Sequence, residues 1–259
     1  MKTINCFVPF QSEEQVALTV KNLKQQDLVN EVFLLDGDIR STKNIRFIAE
    51  HATTPYTLIY TKHTTLSFVL FALERMVAIL EDSAAMMVYA DHFNKVGEKS
   101  TQAPVIDYQF GSLRDDFDFG SVLLYRTDAL LNAVSRMDVD YQYAGLYDLR
   151  LKVSQLGALE HINEYLYYDV ELDNRQSGEK IFDYVDPKNR GVQIEMEKAC
   201  TQHLKDIGGY LEPKFKDVDM TAGDFEFEAS VVIPCKNRGR TIGDAIRSAL
   251  SQKVDPKYK

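Results

Sequence analysis

The 259-residue sequence has no tryptophan, only three cysteines, and no apolar run long enough for a signal peptide or a membrane span. Cations are also in short supply, with 30 Lys and Arg against 39 Asp and Glu and a net charge of −9. Binding along a nucleic-acid backbone depends on clustered Lys and Arg that neutralise phosphates, so this balance argues against a polyanion partner. It leaves room for one basic pocket around a nucleotide diphosphate, because net charge says nothing about a single cleft. Cys6, Cys200 and Cys235 are too far apart for a metal or redox spacing and are expected to be buried free thiols. "MKTINCFVPF" runs directly into a strand pattern, from which a cytoplasmic protein is expected. What the chain does have is 45% hydrophobic residues, with 14 Tyr and 14 Phe, enough for a sizeable core.

Short apolar runs alternate with helical-period segments through the first half. Strands are predicted at Ile4 to Phe10, Glu31 to Asp38, Tyr56 to Tyr60 and Ala85 to Asp91. Helices are predicted at Glu13 to Gln26, around Ile45 and Ile48, and at Leu66 to Leu80. The repeated β-α-β order implies an α/β fold, a mostly parallel sheet with helices on both faces. Gly97 to Gly120, rich in Gly, Asp and aromatics, reads as a loop crossing the open face. Beyond it come a strand at Ser121 to Arg126, helices at Thr127 to Val134 and Tyr141 to Gln155, and two short strands, "ALEHI" and "YLYYDVE". A helix from near Pro187 to Gly208 and a linker at Glu212 to Glu228 follow.

The sequence contains one unit twice. "CFVPFQSEEQVALTVKNLKQQ" and "VVIPCKNRGRTIGDAIRSALSQ" each have an apolar strand reaching Pro9 or Pro234, a polar turn, and a helix ending in Gln26 or Gln252. Val16 corresponds to Ile242, and Val20 to Ile246. Ser230 to Gln252 resembles the first strand and helix of family 2 glycosyltransferases, nucleotide-sugar enzymes of the GT-A fold. The stretch from Met1 to about Val170 resembles the same family more loosely. The resemblance implies three regions: a divergent GT-A domain at residues 1–211, a linker at 212–228, and the first strand and helix of a second, truncated transferase domain at 229–259.

The resemblance also implies site residues. Pro9 ends a strand where backbone approaches a base or ribose, and Asp36 or Asp38 in "VFLLDGD" stands where the family's acidic residue contacts uracil. The family's Asp-x-Asp, which holds a divalent metal (Mn or Mg) on the sugar diphosphate, corresponds to "YTKHTTL". There Lys62 and His63 replace carboxylates, and Lys62 is either a diphosphate-neutralising cation or a surface lysine. The catalytic base of an inverting transferase corresponds to Gly145 and Leu146, and leucine accepts no proton. Asp148 survives nearby as a helix-start residue, and Asp91 follows a strand end. Those two are the weak catalytic candidates, while Asp115 and Asp116 read as a solvated loop.

Two functions follow from the resemblance. One is an active transferase moving sugar from a nucleotide-sugar donor to a glycan or lipid-linked acceptor in polysaccharide assembly. The other is a GT-A domain without its own chemistry, a pseudoenzyme that binds acceptor or scaffolds the rest of a longer transferase polypeptide.

Overall fold

The computed structural model describes residues 2–170, 189–219 and 230–253, which form two compact units, Met1–Leu211 and Glu212–Lys259. The predicted helix start near Pro187 and residues 220–229 and 254–259 lie outside the described residues.

The first unit is built on an eight-stranded sheet: β1 (Ile4–Phe10), β2 (Val29–Asp36), β3 (Tyr56–Tyr60), β4 (Ser67–Phe68), β5 (Met87–Val96), β6 (Lys99–Ala103), β7 (Val122–Arg126) and β8 (Leu159–Val170). The strand order is β2-β1-β3-β7-β5-β8-β4, with β6 pairing outside this path on β5. The pairs β1–β2, β1–β3 and β5–β8 are parallel, while β7 runs antiparallel between β3 and β5. Only β4, β6 and β7 therefore oppose the common direction. β1 is buried along almost its whole length, as a strand covered on both faces must be, and it reads as a continuous apolar run for that reason. Its one polar interior residue, Asn5, is satisfied by the His51 carbonyl, the Thr53 hydroxyl and the Asn30 amide.

Helices cover both faces. α1 (Glu13–Lys24) and α3 (Ala72–Ser83) bury Val16, Leu23, Leu73, Met76 and Leu80 against one side. On the other side α2 (Thr42–His51), α4 (Thr127–Val134) and α5 (Gly145–Ser154) contribute Ile45, Ile48, Leu130, Ala133, Leu149 and Val153. α1 carries Glu13 and Glu14 in its first turn and Lys21 and Lys24 in its last, matching the helix dipole. α2 starts where the Ser41 hydroxyl accepts from the Asn44 amide. α6 (Arg190–Asp206) packs on α5 through Ala199.

Several expectations change: α5 starts at Gly145 rather than Tyr141, β5 runs on to Val96 rather than ending at Asp91, and β2 ends at Asp36. The Gly97–Gly120 segment is not all loop: β6 forms a hairpin with β5, because the polar residues of that strand pair with β5 along an exposed edge. The two short strands at the end of the domain are one strand, β8. α3 starts six residues later than expected, since Ser67 and Phe68 pair with β8 instead.

In the second unit, α7 (Ile242–Leu250) is helical as expected. Val231–Cys235 forms no strand, because no sheet neighbour among the described residues supplies the ladder a strand needs. Of the three thiols, Cys6 is buried, Cys200 half-buried and Cys235 exposed, so Cys235 departs from the expected burial. Among the described residues no helix is long and apolar enough to cross a membrane.

Candidate functional site

The parallel strands β1, β2 and β3 end side by side, the usual position of a ligand in an open α/β sheet. Here their ends open into a cleft of about 580 Å³ lined by Phe10, Gln11, Gly37, Asp38, Ile39, Arg40, Thr61, His63 and Leu146. Gly37, at φ +76°, lets the chain turn sharply out of β2 and brings Asp38 to the cleft. Asp38 accepts from the Arg40 guanidinium at 2.6 Å and from the Arg40 amide at 2.9 Å. Partial burial raises the Asp38 carboxyl, but the hydrogen bonds and charge of Arg40, with His63 adding, hold it below the ordinary carboxylate value. Arg40 also stands over the Tyr143 ring at 5.6 Å.

Beside this cleft lies a half-open chamber of about 220 Å³ between the sheet, α5, α6 and the crossing segment that carries Phe117 and Phe119. Arg40, Thr61 and Leu146 line both spaces, so the two adjoin. The crossing segment is fastened at both ends. Tyr89 Oη donates to the Ile106 carbonyl and accepts from the Tyr108 amide, and Asp91 accepts from the Val105 amide. Farther along, Arg150 donates to the carbonyls of Ser112 and Arg114 and stands 4.8 Å over the Tyr147 ring.

Of the sequence-selected residues, the structure brings Asp38 and His63 together in the cleft. The others lie elsewhere. Pro9 is buried inside β1, opposite Leu35, and the strand runs on to Phe10. Asp36 points to the α1 side of β2 and lines a separate groove with Phe10, Val20 and Leu34. The Lys62 side chain leaves the cleft, because alternation along the chain sends it opposite to Thr61 and His63. Its ammonium meets Asp169 at 2.7 Å. Asp169 is fully buried and also accepts from Ser121 Oγ at 2.5 Å, which leaves Lys62 an internal partner.

Asp91 sits mid-strand rather than at a strand end. It is buried, accepting from the Val105 amide and meeting His161 Nε2 at 2.9 Å, and Asp107 takes the other ring nitrogen at 2.7 Å. Asp148 is buried in α5, paired with Lys152 at 3.0 Å. Burial raises its carboxyl above the ordinary value, with Lys152 opposing the rise. Neither carboxylate lines the cleft or the chamber. Asp116 pairs with exposed Arg114, while Asp115 and Asp118 reach the rim of the chamber.

The position that resembles the catalytic base is closed by backbone. The amides of Gly145 and Leu146 both donate to the Arg40 carbonyl, at 2.7 and 3.3 Å. A Cβ on Gly145 would lie 2.5 Å from the Thr42 nitrogen and 2.8 Å from the Arg40 oxygen, so no side chain fits there without moving the turn. Leu146 then presents an aliphatic wall to both spaces.

A divalent metal does not fit the residues present. The end of β3 offers three threonine hydroxyls, an ammonium already paired with Asp169, and one imidazole. Among the described residues no three His, Cys, Asp or Glu side chains are grouped to hold an ion.

Sequence reasoning missed Arg40, Arg150, Asp169 and Glu195. Glu195, on α6, accepts from the amides of Gln142, Tyr143 and Ala144, closing the N-terminus of α5, which has no side-chain cap of its own. Of these only Arg40 left a local signal, its spacing of two from Asp38 across a turn. The others act over 30 or more residues of sequence.

No protein-family model matches the chain, and no curated protein matches it. Among solved structures it is similar to S. aureus TarS 1-349 in complex with UDP, at 12% identity and a TM-score of 0.52, over 78% of this chain and 65% of that one. It is also similar to TarS 1-349, at 13% identity and a TM-score of 0.47 over 65% and 60% of the two chains. Against TarS 1-349 in complex with UDP-GlcNAc the values are 11% and 0.46, over 78% and 71%. The chain thus spans less than two thirds of the first two. At such identities the likeness is one of fold, and the first unit has a GT-A-type glycosyltransferase fold: a mostly parallel sheet between two helical layers.

Proposed function

We propose that the first unit is a GT-A domain related to family 2 glycosyltransferases that binds the nucleoside diphosphate of a nucleotide sugar without transferring the sugar. The cleft at the ends of β1, β2 and β3 takes the nucleoside, with Asp38 and His63 as its polar contacts and Arg40 as the cation nearest a diphosphate. The single observation that carries the non-catalytic part is the wall formed by Gly145 and Leu146. It puts an aliphatic side chain against backbone at the position from which a base would take the acceptor's proton. The TarS structure holding UDP supports the nucleotide part.

In this reading the domain serves a longer transferase polypeptide. Ser230 to Gln252, which repeats the β1–α1 sequence, belongs to its second domain, and a glycan or lipid-linked acceptor is handled by the whole. Calorimetry with UDP tests the first half, with saturable binding that Asp38→Ala weakens at least tenfold. Absence of binding by the wild-type protein contradicts it. A second reading, a transferase that does without metal, is favoured by Asp115 and Asp118 at the chamber rim. It requires UDP release from UDP-sugar that Asp118→Asn abolishes.

A further inference from the structure

β2 is the outermost strand on its side of the sheet, and among the described residues β1 is its one strand partner. The backbone groups of Val32 to Leu35 that face away from β1 therefore meet no further strand among those residues. Edge strands are commonly blunted by shortness, proline, lysine or a bulge. β2 has eight residues with neither proline nor lysine, and its bulge lies at its start, between Val29 and Glu31.

α1 presents a matching stripe beside this edge. Glu13, Ala17, Val20 and Lys24 follow one another at spacings of four, three and four residues, which keeps them on one helical face. All four line the open groove between α1 and β2, whose floor includes Leu34, a leucine left 43% exposed. The groove is acidic at one end and basic at the other. α1 begins just after Phe10, which pairs with Asp36, so Glu13 and Asp36 stand together, while Lys21 and Lys24 lie toward the start of β2. Among the described residues none of these four charges is ion-paired.

This arrangement is complementary to itself. A second copy that adds its β2 antiparallel turns its α1 end for end, which sets Glu13 and Asp36 of each copy against Lys24 and Lys21 of the other, and Ala17 against Val20. From Glu13 to Lys24 the helix advances about 16 Å, and Glu31 to Asp36 spans about the same length of strand, so helix and strand contacts share one centre. Side chains directly opposite in an antiparallel pair lie on one face. Val32 and Leu34 are on the α1 side and Phe33 on the other, so a register with Phe33 opposite itself brings Val32 against Leu34. Parallel addition would instead put like charges together at both ends, and a partner of one charge sign would be repelled at one end. An isologous pair satisfies both ends and closes on itself.

We infer that the β2 edge and the α1 stripe form a homodimer interface, joining the sheets of two copies through antiparallel β2 strands. The interface is separate from the nucleotide reading and does not depend on it.

Sedimentation equilibrium of the full chain tests this. The wild type is expected to be mostly dimer at about 100 µM, where even a transient interface of micromolar affinity is populated. Leu34→Lys puts a cation on the shared floor and should weaken the dimer about tenfold or more, with an unchanged circular dichroism spectrum. Lys21→Glu with Lys24→Glu should have a similar effect, as should Glu13→Lys with Asp36→Lys. Mixed in equal amounts, these two charge-swapped proteins should regain a dimer, because each end again pairs acid with base; misfolded chains would not. Hydrogen exchange at Val32 to Leu35 should slow as the wild type is concentrated. A wild type that stays monomeric at about 100 µM overturns the interface. So does a dimer that survives Leu34→Lys and both swaps, or a mixture of the swapped proteins that stays monomeric. A dimer with unchanged exchange in β2 overturns the strand pairing.

Discussion

The Gly145 amide donates to the Arg40 carbonyl at 2.7 Å, and that contact fixes the start of α5 against the turn that follows β2. The cleft takes its shape from this approach. Gly145→Ala forces a Cβ into the turn backbone, and overpacking of this kind costs about 1–3 kcal/mol. Urea unfolding should show a lower midpoint with an unchanged slope. Gly145→Glu should be worse still, and neither substitution should create transferase activity.

Lys62 and Asp169 form an internal pair. Lys62→Met strands a fully buried carboxylate, and breaking one side of a buried pair costs about 3–5 kcal/mol. With Lys62 35% exposed, the lower end is expected. The double substitution Lys62→Met with Asp169→Leu should recover most of the loss. Lys62→Arg, which keeps the pair, should leave UDP affinity within about twofold, because the ammonium points away from the cleft.

Asp38 gives a pH signature. Its carboxyl is held below the unfolded value, so its contribution is present above the ordinary carboxylate range and is lost as pH falls through the depressed folded value. The pair with Arg40 is more than a third exposed on both sides, which limits the effect to about 0–1 kcal/mol. Asp38→Asn should therefore cost a few tenths of a kcal/mol at pH 7 and nothing measurable at pH 2, by urea unfolding at the two values.

Glu195 holds three amides ahead of α5, and charge-assisted bonds of this kind contribute about 1.5–3 kcal/mol. Glu195→Ala should speed hydrogen exchange at Gln142, Tyr143 and Ala144 more than in the sheet. Glu195→Gln, which keeps an acceptor, should fall between.

Strand and helix periodicity made the sheet and most of its helices readable in advance, because β1, β3 and β7 are covered on both faces and α1 to α4 each bury one stripe, whereas α5 is buried almost all round. The β5–β6 hairpin was not readable, since its exposed residues carry no apolar alternation. Asp38 and His63, which follow the ends of β2 and β3 by two and three residues, could be placed at one cleft from the sequence. Lys62, Asp91 and Asp148 could not be placed in this way, because their partners Asp169, His161 and Lys152 hold them outside the cleft. Two of those partners lie 107 and 70 residues away in sequence. The third is one turn along the same helix, but its pairing counts only because α5 buries both groups. A carboxylate after a strand is visible in a sequence, while the cation or imidazole that occupies it is not.

The central claim is binding without transfer, and a ³¹P NMR time course of UDP-GlcNAc with the protein tests both parts at once. Binding without transfer gives shifted or broadened diphosphate resonances that persist for hours with no free UDP signal growing in. Steady growth of UDP beyond one equivalent of protein would contradict the loss of chemistry, and resonances identical to those of the free nucleotide sugar would contradict the binding.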